Sequence, residues 1–316
     1  MARSRLIYAS TSDGVHDRRW IAAFEALGFD VDIRVFSELP EACSLGDVTG
    51  ARAVVAGPMH TVARHLLPCA LPVIGLSWGY DLQQGNDVAW LAELSGLIVD
   101  TEHTREIAIA AGIDQEHTVV IPWGVDIERI DQIPPAQVSD LAAGERMVLS
   151  ARAHEPIYRV EEIIRAFAGA RLSRTRLVIA HSGTLTKRLR SVALDLGVNA
   201  VFVGSLSEDE LIALIKRADV YVSASEIDGT SVTLLQALAC GTRVVVSDTP
   251  GNLEWVSDGR TGWIFPTGDE PALASSIAAA LNDETPDIVD RARREVQERA
   301  NWGVNIRKLL TILPTS

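Results

Sequence analysis

The chain has 316 residues, 47% of them hydrophobic and 22% charged, with a formal net charge of −13. That length and apolar content can fill two ordinary cores, and with no uncharged apolar run of about 18 residues, a membrane-spanning helix is excluded. The charge is uneven: residues 1–140 hold 9 Arg and no Lys against 20 Asp and Glu, a net of −11, while the rest holds 20 basic and 22 acidic residues, a net of −2. Such an acidic first half is a poor partner for nucleic acid or anionic lipid. Cys43, Cys69 and Cys240 are far apart and odd in number. They suit neither a disulfide framework nor a metal cluster and point to a reducing, cytoplasmic compartment. The opening MARSRLIYAS has too short an apolar stretch for a signal peptide and runs straight into a strand pattern.

In chain order, short apolar runs alternate with helical patterns. The first half predicts strands at 5–9, 30–35, 53–56, 72–76, 96–99 and 118–121, with helices near 18–27, 60–67, 89–93 and 103–111. The loop after the first strand, STSDGVHDRR, carries Gly14, His16 and Asp17. The run PVIGLSWGYDL ends with Asp81 just past a buried strand, where it can face a ligand crevice or cap the next helix. Residues 126–145 contain the Pro134-Pro135 pair, which interrupts helical structure on both sides. The second half predicts strands at 147–150, 176–180, 200–203, 220–223 and 243–246. Its helices fall near 160–169, 185–194, 208–217, 231–238, 270–281 and 285–300. This alternation implies an α/β fold with two Rossmann-like, doubly wound domains.

The segment SASEIDGTSVTLLQALACG, Ser223–Gly241, combines a buried strand, a polar turn at Asp228–Ser231 and a helix that stops at Gly241. The turn delivers free backbone N–H groups, one carboxylate and two hydroxyls to a helix start, where the positive end of the dipole favours an anion. Asp, Thr and Ser also favour such a turn as simple caps. Gln236 lies two turns further along, on roughly the side of Asp228.

This segment resembles the donor-binding signature of glycosyltransferase family 4, whose members have the GT-B fold and retain anomeric configuration. The family signature has an acidic residue, a Gly-aromatic-Gly turn, a second acidic residue eight positions after the first, and Ala-Met-Ala-Cys-Gly. Here Asp228, Gly229-Thr230-Ser231, Gln236 and Ala237-Leu238-Ala239-Cys240-Gly241 stand at those places. The resemblance continues through VVVSDTPGNLEWVSDGRTGWIFPTGD, Val244–Asp269.

The resemblance implies a nucleoside diphosphate sugar as co-substrate, a hydroxyl-bearing acceptor and no metal or other cofactor. Asp228 would accept from donor-sugar hydroxyls, the amides of Gly229, Thr230, Ser231 and Val232 would face sugar and diphosphate, and Gln236 would meet the ribose. Restoring the family's carboxylate with Gln236→Glu would be expected to tighten that contact. Arg152 matches the family's phosphate-binding Arg. The family's Lys position falls on Tyr158, with Arg159 beside it. Glu254 matches a Glu near the nucleotide, although Glu also suits a helix start. Asp81 would act at the acceptor or as a base, with Trp78 where relatives carry His. Gly14, His16 and Asp17 would line the acceptor site.

The implied organisation is an acceptor-side domain over 1–130, a linker over 131–145 and a nucleotide-sugar-binding domain over 146–300. Residues 301–316 would form a helix packed back on the first domain, and the two domains would face a cleft. The implied activity is retaining, metal-independent transfer of a hexosyl-type unit in carbohydrate metabolism. Two alternatives share the fold: a GT-B nucleotide-sugar epimerase or hydrolase, and a non-catalytic nucleotide-sugar-binding protein.

Overall fold

Twelve strands, all paired in parallel, form two six-stranded sheets in a computed structural model that describes residues 4–38, 45–83, 87–139 and 141–313. Cys43 lies outside the described residues; Cys69 and Cys240 are free thiols. The chain divides into two units: Met1–Pro122 with Gly303–Ser316, and Trp123–Trp302.

In the first unit the strands are β1 (Arg5–Ser10), β2 (Asp30–Val35), β3 (Ala51–Gly57), β4 (Val73–Leu76), β5 (Gly96–Val99) and β6 (Thr118–Val120), in the order β2-β1-β3-β4-β5-β6. In the second they are β7 (Arg146–Ser150), β8 (Thr175–Ala180), β9 (Ala200–Gly204), β10 (Val220–Ser223), β11 (Arg243–Ser247) and β12 (Trp263–Phe265), in the order β12-β11-β10-β7-β8-β9. Each sheet reverses its direction of growth once, beside β1 in one unit and beside β7 in the other. At such a reversal the loops leaving adjacent strands part, which opens a crevice at their carboxyl ends. The doubly wound α/β class expected from the alternation is the class observed.

The central strands read as continuous apolar runs because helices cover both faces of a parallel sheet. All four residues of β4, β5 and β10 are buried. Val54, Leu66, Leu97 and Val99 belong to one core; Val148, Ile164, Leu177 and Val222 belong to the other.

Local chemistry sets several boundaries differently from the sequence pattern. Asp126 caps a helix over Ile127–Gln132 by accepting from the Arg129 amide, and this stretch groups with the second unit. The helix expected at 60–67 opens as a π-helical turn, Met59–Ala63, before Arg64–Leu66. The expected last helix is a short turn, Trp302–Asn305, followed by a 3₁₀ segment, Ile306–Thr311, that buries Ile306 and Leu309.

Candidate functional site

In the second unit β7 and β10 lie side by side at the strand reversal, with Ser150 in register with Val222. Arg152 leaves the end of β7, and the Asp228 turn leaves the end of β10. Their side chains meet there. Arg152 Nη2 lies 2.9 Å from Asp228 Oδ2, and Arg152 Nη1 donates to Ser231 Oγ at 2.7 Å. The guanidinium carbon sits 4.2 Å from the centre of the Tyr158 ring. Only 11% of the Arg152 side chain and 13% of the Asp228 side chain are exposed, so solvent screens the pair weakly.

Burial works against the Arg152 charge, but Asp228, Tyr221 and Tyr158 outweigh it and hold the guanidinium proton more tightly than usual. Burial pushes the Asp228 carboxyl up, against the pull of Arg152 and of Ser225. Beneath them the buried Tyr221 hydroxyl is pushed up to about 12, chiefly by burial, and stays neutral.

Ser231 caps the Val232–Ala239 helix by accepting from the Leu234 amide at 3.3 Å. Gly241, in the left-handed region at φ 72°, follows its end, as the sequence implied. The first amides of this helix therefore share one corner with a cation, the arrangement an anion requires.

Gly251 holds the turn from behind. A Cβ there would lie 2.2 Å from the Gly229 oxygen and 2.7 Å from the Asp228 oxygen. Ser247 Oγ donates to the Ser225 oxygen at 2.6 Å, and Asn252 Nδ2 donates to the Ser247 oxygen at 2.9 Å. These bonds tie the loop before Asp228 to the end of β11. Thr230 and Ser231 are buried within the turn. Val232 begins the helix. Glu254 is the C-cap of the short Pro250–Leu253 helix rather than part of a helix start.

Arg159 is engaged elsewhere. Its backbone is left-handed at φ 48°, and its side chain is paired with Glu162 and, at 3.0 Å, with Glu226. Two carboxylates therefore offset its charge, which leaves Arg152 to supply the cation at the turn. Gln236 is 4% exposed and donates through Nε2 to Glu208 Oε1 at 3.3 Å. His154, next to the site in sequence, turns its Nδ1 to Thr186 Oγ1 at 2.8 Å.

In the first unit, Asp81 follows β4. Its Oδ1 accepts from Ser77 Oγ at 2.6 Å and its Oδ2 from the Trp78 amide at 3.3 Å. Burial pushes its carboxyl up, opposed by those bonds and by His60. His16 lies edge-on to Trp78, with ring centres 5.6 Å apart. These groups come from the segments that follow β1 and β4, at the carboxyl side of the sheet.

Asp17 takes a different place from that expected of an acceptor-lining residue. Its Oδ1 accepts from Tyr8 OH at 3.0 Å and Ser10 Oγ at 2.6 Å, and its Oδ2 from Ser12 Oγ at 2.6 Å and the Gly14 amide at 2.9 Å. Four donors occupy this buried carboxylate, so it anchors the loop after β1. The sequence carries no sign of this role, because it is the fold that brings Tyr8 and Ser10 of β1 onto Asp17.

Three contributors to the second-unit site carried no signal of their own. Tyr221 looked like one more strand residue. Gly251 looked like an ordinary turn glycine, and Glu208 like a helix-start carboxylate. Among the described residues no group of three or more His, Cys, Asp or Glu could hold a metal ion, and no helix is long and apolar enough to cross a membrane.

The model of the family "Glycosyl transferases group 1" matches residues 135–308, more than half of the chain. A phosphatidyl-myo-inositol mannosyltransferase of Mycobacterium leprae is 29% identical over 233 residues, covering 72% of this chain and 60% of the relative. An uncharacterized glycosyltransferase of Methanocaldococcus jannaschii is 33% identical over 199 residues, covering 59% of this chain and 50% of the relative. The chain thus spans about half the length of the curated relatives it matches. Among solved structures, Anabaena HepE in complex with UDP-glucose superposes with a TM-score of 0.79 at 17% identity, covering 98% of this chain and 100% of that one. Sucrose-phosphate synthase from Thermosynechococcus elongatus gives a TM-score of 0.75 at 17% identity, covering 98% of each chain. At that identity the likeness concerns the fold, which is of the GT-B glycosyltransferase class.

Proposed function

The chain belongs to the glycosyl transferases group 1 family, and on that premise we propose that it moves a sugar from a nucleoside diphosphate sugar to a hydroxyl acceptor, with retention and without a metal. The observation that carries this reading is the Arg152–Asp228–Ser231 constellation at the helix start beside the β7/β10 reversal. As the bond from the sugar to the diphosphate loosens, negative charge grows on the departing oxygens. A fixed guanidinium and the amides of Gly229, Thr230, Ser231 and Val232 are suited to stabilise that charge, and they need no reorganisation to do it.

The roles divide by what each group can offer. Asp228 accepts from hydroxyls of the transferred sugar, and Gln236 accepts from the ribose. Glu254 lies near the nucleotide, and Tyr158 keeps Arg152 in place. On the first unit, Asp81, His16 and Gly14 serve the acceptor, while Asp17 positions the loop after β1. The leaving phosphate takes the proton of the incoming hydroxyl, so a strong protein base is not required. The acidic first half and the free thiols favour a cytoplasmic setting over nucleic-acid or membrane partners.

The test is release of nucleoside diphosphate from a panel of nucleotide sugars in chelator, with and without sugar and polyol acceptors. NMR of the product reads the anomeric configuration. Transfer with retention, in chelator, is the expected result. Release only with magnesium or manganese would overturn metal independence, and an inverted product would overturn retention. Hydrolysis or epimerisation in place of transfer would favour the alternative enzyme class. Binding with no release at all would favour a binding protein.

A further inference from the structure

Gln236 stands where the family signature has a carboxylate, and its amide is held by a carboxylate from another helix. Gln236 Nε2 donates to Glu208 Oε1 at 3.3 Å. Glu208 opens the Glu208–Arg217 helix, and its other oxygen accepts from Arg129 Nη1 at 2.9 Å. Arg129 is fixed in turn by Asp209 at 2.6 Å. Resting on the donor reading above, we propose that Glu208 is a positioning residue: it locks the Gln236 amide with its carbonyl toward the ribose, so that the amide acts as the missing carboxylate.

The chemistry leaves one orientation. An ionised carboxylate accepts hydrogen bonds and donates none. An amide turned the other way would bring its carbonyl against Glu208, two acceptors in contact. The NH₂ therefore faces Glu208, and the planar amide sends Oε1 the opposite way. Gln236 is 4% exposed on a helix whose Leu234, Leu235, Ala237 and Leu238 are also buried, so packing confines its remaining torsions. Without Glu208, a half-turn of the amide would exchange acceptor for donor at the ribose.

The same geometry reverses the expected effect of restoring the family residue. Gln236→Glu would set two carboxylates against each other, and like charges at that separation repel. Moving the amide to the other partner cures this. In the double variant Glu208→Gln with Gln236→Glu, the amide at position 208 donates to the carboxylate at 236, and an acceptor still faces the ribose.

The experiment is calorimetric titration of UDP, GDP and ADP, and of the 2′- and 3′-deoxy forms of whichever binds, into the wild type and three variants. Glu208→Ala should weaken the ribonucleotide about fivefold, the worth of one neutral hydrogen bond, and a deoxy form less than about twofold. Gln236→Glu should weaken the ribonucleotide by at least about fivefold. The double swap should return it to within about threefold of wild type. Glu208 is half exposed, 52% for its side chain, so Glu208→Ala should retain the fold, and thermal melting checks this for all three variants. Equal weakening of the ribo and deoxy forms by Glu208→Ala would overturn the proposal. So would a double variant no better than Gln236→Glu. Those results, obtained with diphosphate still bound by wild type, leave the donor site standing. No binding of any diphosphate by wild type would overturn both.

Discussion

Asp228→Asn separates the two jobs of the Arg152–Asp228 pair. The substitution keeps shape and an acceptor but removes one charge. At 2.9 Å and an effective dielectric near 20, the gross attraction lost is about 6 kcal/mol. Most of it is offset by the desolvation of two charges, and the retained acceptor recovers part of the remainder. A net loss of about 1–2 kcal/mol in stability follows. Arg152 keeps Ser231 and Tyr158, so it stays in place with its charge no longer shared. A phosphate meeting the other edge of the guanidinium lies roughly 6 Å from the Asp228 carboxylate, a repulsion of about 3 kcal/mol per charge pair before solvent reduces it. Bare nucleoside diphosphate should therefore bind Asp228→Asn about three- to tenfold more tightly than wild type. Turnover should move the other way, falling at least about tenfold, because the sugar hydroxyls lose a charged acceptor as the transition state forms. Calorimetry in chelator reads the first quantity, and diphosphate release at saturating nucleotide sugar reads the second. Weaker diphosphate binding in a variant that melts cooperatively would show that Asp228 and the phosphate do not compete for Arg152.

Other perturbations probe the remaining parts. Arg152→Ala should cost about 2–4 kcal/mol of transition-state stabilisation and weaken diphosphate binding; unchanged kcat/KM would remove Arg152 from the site. Gly251→Ala places a methyl 2.2 Å from the Gly229 oxygen, so the turn must shift and diphosphate affinity should drop at least about tenfold; calorimetry showing unchanged affinity would mean the turn does not hold the phosphate. Asp81 titrates above its unfolded value because burial raises it. Its contribution to stability is therefore complete below an unfolded pKa of about 4 and is lost as pH rises through the folded value. Asp81→Asn has no such loss, so its melting temperature relative to wild type should rise from pH 4 toward pH 7. A gap that stays constant with pH would mean that burial does not shift this carboxyl.

What the chain dictated by itself is local. Eleven of the twelve strands lie where strand patterns are expected, the central ones because a strand buried on both faces needs little more than an apolar run. The helix from Val232 and its stop at Gly241 follow from spacing, a serine cap and a left-handed glycine, all within a few residues of one another. Trp263–Phe265 escaped because three residues are too few to show a period. Ile127–Gln132 escaped because two prolines obscured a short capped helix. The Arg152 and Asp228 positions were legible because the motif around each is continuous in sequence.

Which partner each side chain meets there is set by sheet order, which brings residues together from far along the chain. β7 lies beside β10, so Asp228 meets Arg152, and Glu226, 67 residues further on, engages Arg159. Glu208, 28 residues before it in the chain, holds the Gln236 amide through Nε2. A hydrogen bond or ion pair depends on separations of about 3 Å. Sequence spacing specifies such separations within one helix or turn, and only the packed fold specifies them between elements.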